Sequence, residues 1–75
     1  MGAEHDQRAP LSPHYAFVVQ LETDTQIDAG RIHGRVEHVV SRHVTRFTSL
    51  DELLAFMARV LREVAARERA AEADA

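Results

Sequence analysis

The stretch Val36–Phe56, VEHVVSRHVTRFTSLDELLAF, decides how this chain folds. Its first part alternates apolar and polar residues, with Val36, His38 and Val40 on one face and Glu37 and Val39 on the other. Period two of this kind marks a half-buried strand. A reversal at Ser41 and Arg42 is expected to return the chain through Val44–Phe47, with Val40 opposite His43, His38 opposite Thr45 and Val36 opposite Phe47. That register keeps Phe47 on the apolar face, where a slip of one residue would turn it outward. It also sets Glu37 across from Arg46, a favourable cross-strand pair.

Ser49, Leu50, Asp51 and Glu52 then read as a capping box. The serine hydroxyl accepts from the amide of Glu52, whose carboxylate reaches back to the serine amide. Leu50, Leu53, Leu54, Met57, Val60, Leu61 and Val64 follow at three- and four-residue spacing, the signature of one apolar helix face. The segment beyond Ala65, ARERAAEADA, favours helix by propensity but has little to bury, so fraying is expected there.

Working toward the N-terminus, Arg31–Val40 extends the alternation into a full strand. TDTQIDAG before it is polar and ends in Gly30, which marks a loop under which Ile27 can tuck. Tyr15, Phe17, Val19 and Leu21 alternate with Ala16, Val18, Gln20 and Glu22 and form a further strand. Antiparallel pairing with Leu21 beside Ile32 places Val19 across from Gly34, Phe17 from Val36 and Tyr15 from His38. Gly34 would leave room over the sheet for a helix side chain. Residues 1–13 carry two prolines and mixed charge with no periodicity, and read as a disordered tail. The expected organisation is a tail over 1–13, a domain over 14–65 and a fraying tail over 66–75. The fold class is α+β: a three-stranded antiparallel meander with one C-terminal helix on one face, βββα.

The strand Phe17-Val18-Val19, the run Gly34-Arg35-Val36-Glu37-His38-Val39 with Ser41, and Phe47, Ser49 and Glu52-Leu53-Leu54-Ala55-Phe56 resemble short bacterial domains of uncharacterised function. The resemblance spans roughly residues 15 to 62 and implies a small stand-alone domain, with no activity or ligand attached. Those domains tend to have glycine after the hairpin serine, where this chain has Arg42. Arginine carries a steric penalty at positive φ, so the turn type is left open by the sequence.

Composition narrows the function classes. The chain has 75 residues and no cysteine, so neither disulfides nor thiolate-bound metal staple it. A domain of this size buries only about 60% of the surface its unfolded chain exposes, and oligomerisation is the common remedy. No segment has the apolar core of a signal peptide or the roughly 20 apolar residues of a membrane span, and a cytoplasmic location is expected.

All nine basic residues are arginine and the net charge is −3, which weighs against general nucleic-acid binding. Between Arg31 and Arg46, four arginines stand against one glutamate. Arg31, Arg35 and Arg46 are therefore the anion-binding candidates, with an ordinary solvated sheet face as the plainer reading. The stacking aromatics of a nucleic-acid-binding sheet are absent from that face.

His38, on the apolar face near Tyr15 and His43, is either a base or ligand or a histidine that fixes the register. Two histidines fall short of a catalytic zinc site, and His33 points to the other face. No metal, cofactor or catalytic residue is assigned, and no enzymatic activity is expected. The apolar outer-face residues Val18, Val39 and Val44, with Phe56 and Val60 widening the helix arc, are the protein-interaction candidates. The leading expectation is a non-enzymatic, self-associating module, a homodimer or a binder of another protein. The alternative is a small nucleic-acid or anion-binding regulator.

Overall fold

The computed structural model describes residues 9–74. Three strands, β1 (Phe17–Leu21), β2 (Gly34–His38) and β3 (Val44–Phe47), form an open antiparallel sheet in the order β1-β2-β3 and are followed by one helix, α1 (Leu50–Asp74). This is the βββα arrangement that alternation and the cap imply. The chain enters through a 3-10 turn at Pro13–Tyr15, capped by Ser12, whose Oγ accepts from the His14 amide at 3.1 Å. Pro13 suits the first position of such a turn, where its missing N–H costs nothing. Ser12 and Pro13 thus belong to the fold, and Tyr15 lies in this turn instead of a strand. Of the tail expected over 1–13, residues 1–8 lie outside the described residues.

Both sheet registers differ from expectation by two residues. Phe17 lies opposite His38 and Leu21 opposite Gly34, while Phe47 lies opposite Gly34 and Val36 opposite Thr45. A two-residue shift leaves every side chain on its face, so Val36, His38 and Phe47 still point into the core. Between β2 and β3 the cause is the connection, a four-residue loop, Val39–Arg42, closed by bonds from the His38 amide to the His43 carbonyl and from the Arg42 amide to the His38 carbonyl, each 2.8 Å; between β1 and β2 the register is fixed where the Glu22 amide donates to the His33 carbonyl at 3.0 Å. Arg42 takes the left-handed conformation at φ 68°, the residue at which the two-residue turn was in doubt.

Gly34 has a different reason from the one its position suggests. A Cβ there would sit 2.1 Å from the Gln20 carbonyl oxygen and 2.9 Å from the Leu21 Cα. The glycine admits the β1 backbone, not a helix side chain. Between β1 and β2, the loop is organised by a Gln26–Arg31 bridge and a 3-10 turn at Ile27–Ala29 ending on Gly30 at φ 79°. Ile27 is 63% exposed and does not tuck under this loop.

The core is Val36, Phe47, Leu53, Phe56 and Val60, with Phe17, Leu21, Ile32, Met57 and Val64 packed around it. Ser49 caps α1 by accepting from the Glu52 amide at 3.1 Å. The return arm of the box goes one residue further back than expected: the Glu52 carboxylate accepts from the Thr48 amide at 2.7 Å and the Thr48 hydroxyl at 3.0 Å. These two bonds, backbone first, hold the Glu52 carboxyl below its ordinary value of 4.5.

The helix continues past residue 65 to Asp74. Its 25 residues span about 37 Å, against about 17 Å for a five-residue strand, so its last turns overhang the sheet and residues 66–72 are all exposed. Among the described residues no helix is long and apolar enough to cross a membrane.

Candidate interaction surface

The roll of α1 on the sheet decides which apolar residues remain at the surface. The helix rests on β2 and β3: a cleft beside β3 is lined by Thr45 and Arg46 from the strand and by Ala55, Phe56, Arg59 and Arg62 from the helix. Phe56 is therefore turned under the helix, 6% exposed, and the Arg59 guanidinium covers its ring at 5.5 Å from the centroid. Val60, 3% exposed, lies in the same core. Both were interaction candidates, and both are instead buried in the core of the single chain. The compensation appears on the opposite flank, where Leu50 and Leu54 are about half exposed.

The outer-face candidates stand where alternation puts them. Val18 and Val44 flank Glu37 in one cross-strand row, and Val39 lies just beyond β2, its amide donating to the Ala16 carbonyl at 3.1 Å. Val18, Val39 and Val44 are 55%, 42% and 48% exposed.

β1 carries a second kind of exposure. The Glu22 amide donates to the His33 carbonyl and the Val39 amide to the Ala16 carbonyl, so residues 16, 18, 20 and 22 bond to β2. By antiparallel alternation, the N–H and C=O groups of Phe17, Val19 and Leu21 point away from the sheet, along a free edge. Val19 is 40% exposed although it sits on the helix-bearing face.

Two of the three arginine candidates come together, with Arg35 and Arg46 lining one cleft, and the third stands apart. Arg35 and Arg46 face each other across β2 and β3, and each has its own carboxylate: Arg35 Nη2 reaches Glu37 Oε1 at 3.4 Å, and Arg46 pairs with Glu22. Glu37 is across from Val44, not Arg46. Arg31 lies in the loop, bridged to Gln26, beyond the strand that carries Arg35.

His38 is buried, 1% exposed. Its Nε2 lies 2.8 Å from the His14 carbonyl oxygen, and its Nδ1 lies 2.7 Å from Ser41 Oγ. A carbonyl only accepts, so Nε2 donates and Nδ1 accepts the serine proton. Ser41 Oγ in turn accepts from the His43 amide at 3.2 Å. The imidazole thereby ties the entry turn to the hairpin loop, with the Phe17 ring 5.1 Å away. Tyr15 does not join it: its hydroxyl donates to Glu68 at 3.4 Å. His43 contributes its backbone to this arrangement, and its side chain is exposed.

A cleft of about 220 Å³ opens beside this pair, lined by His14, Val40, Ser41, Val64 and Arg67 among others. A serine and a base at 2.7 Å have the spacing of an activated nucleophile. Here both nitrogens and the hydroxyl are occupied in holding the loop, and the ring has almost no contact with solvent.

Sequence reading missed one cluster. His33 Nδ1 lies 3.5 Å from Glu22 and its Nε2 lies 3.3 Å from Asp24. One ligand atom from each of the three comes within 4.8 Å of the others, so an imidazole and two carboxylates converge. The two ring nitrogens address different carboxylates, and Glu22 is also held by Arg46. The three side chains thereby meet across the loop between β1 and β2. Only the loop's closure brings residues eleven apart together, and no spacing rule announces it.

Comparison with models of protein families, with curated proteins and with solved structures finds no match.

Proposed function

We propose that this chain is a non-enzymatic interaction module that works by self-association. The observation that carries this reading is β1. It is an uncharged strand, FVVQL, at a free sheet edge, with Val18 exposed on one face, Val19 on the other, and the exposed Leu50 and Leu54 on the helix flank turned away from β3. Soluble domains usually protect such an edge with charge, proline or a bulge. This one has none of these within the strand. Among the described residues the buried apolar core is five side chains, so covering more surface with a second copy would add to a small core.

The alternative, a nucleic-acid or anion-binding regulator acting through Arg31, Arg35 and Arg46, has less support, because Glu37 and Glu22 already pair with two of the three. Sedimentation equilibrium across the micromolar range tests the leading reading. The expected result is a concentration-dependent dimer, and a monomer at every concentration contradicts it.

A further inference from the structure

We propose that two copies join through β1 alone, edge to edge and antiparallel, about a two-fold axis at Val19, giving one continuous six-stranded sheet. This rests on the self-association reading and specifies its geometry.

The backbone supplies the first argument. The outward-facing residues of β1 are Phe17, Val19 and Leu21, spaced evenly about Val19. A two-fold axis there sets Val19 opposite Val19 of the second copy and Phe17 opposite its Leu21. Each is then a hydrogen-bonded pair in which both residues offer a free N–H and C=O. A shift by one residue would bring inward-bonded amides into the pairing, and a shift by two would leave one outward group without a partner.

The side chains agree with this register. Phe17, Val19 and Leu21 from both copies line the same face, and the two helices lie on that face too, so the apolar strip beside each helix becomes continuous. On the other face Val18 meets Gln20. Glu22 falls opposite Ala16, so no like charges meet across the axis, an arrangement that would be destabilising. The opposite edge lacks these properties. β3 is one residue shorter, and one of its two outward positions is Arg46, a charge of the kind that blocks edge pairing.

Proline substitution separates the two edges. Val19 and Val44 each point a backbone N–H outward, and proline is tolerated on an edge strand where the N–H faces solvent. Sedimentation of the full chain is compared with Val19→Pro and Val44→Pro, with far-ultraviolet circular dichroism reporting the fold. Val19→Pro is expected to weaken association by on the order of 100-fold, while Val44→Pro associates as the parent does. Should Val19→Pro fail to fold, Val19→Lys carries the same expectation, since it leaves the backbone intact and places a charge on the axis.

A parent that dimerises while Val19→Pro or Val19→Lys dimerises equally well overturns β1 pairing and leaves self-association standing. Loss of the dimer in Val44→Pro alone overturns it in favour of the β3 edge. A monomeric parent removes both this geometry and the reading beneath it.

Discussion

β1 and β2 are both five-residue strands of one sheet, and the more apolar of the two is the more exposed. FVVQL has no fully buried residue. GRVEH, with an arginine, a glutamate and a histidine, buries Gly34, Val36 and His38. Position explains the inversion: β2 is paired on both sides and covered by the helix, while β1 has a neighbour on one side only. Burial in a small sheet therefore follows strand order more than composition, and an apolar strand left at an open edge asks for a partner.

The comparison can be broken most forcefully at the covered side. Phe47→Ala removes a 2%-exposed ring from the core and is expected to cost about 3–5 kcal/mol. Val19→Thr, at the open edge, should change monomer stability by no more than about 0.5 kcal/mol. Urea unfolding at low protein concentration measures both, and comparable losses would mean that β1 is as integral to the monomer core as β3.

His38→Leu tests the polar side of the same core. It keeps the apolar contact with Phe17 but strands the His14 carbonyl and the Ser41 hydroxyl, for an expected loss of about 2–4 kcal/mol. Near-parental stability would show that the imidazole does not tie the entry turn to the hairpin.

The smallest effect concerns the start of α1. Because Thr48 holds the Glu52 carboxyl below 4.5, the charged carboxylate adds stability above the unfolded value, and that increment is lost as pH falls through the lower folded value. Thermal unfolding should show Glu52→Gln less stable than the parent at neutral pH, with the gap closing below pH 4.5. A gap independent of pH contradicts the assignment.

Most of the architecture was legible because each element carries its own signal. Alternation marked the strands, and Ser49 with Glu52 marked the helix start. The register was not, since patterns of period two are identical after a shift of two residues, and only the loop length separates them. The positive φ of Arg42 belongs to a four-residue loop, where alternation alone suggested a two-residue reversal at Ser41 and Arg42.

Phe56 and Val60 were misplaced for a related reason. An apolar arc of about 180° permits more than one roll on the sheet, and packing beside β3 selects the one that buries Phe56 and frees Leu50 and Leu54. The outward groups of β1 are a property of pairing parity, which becomes visible only once the register is known.

Amide hydrogen exchange along β1 tests the central claim most directly. Within one chain, Val18 and Gln20 donate to β2, whereas Phe17, Val19 and Leu21 face outward. Raising the protein concentration through the micromolar range is predicted to bring protection to the amides of Phe17, Val19 and Leu21, while Val18 and Gln20 are protected throughout. Outward amides that exchange at the unprotected rate at every concentration, in a chain that nonetheless dimerises, would contradict the account.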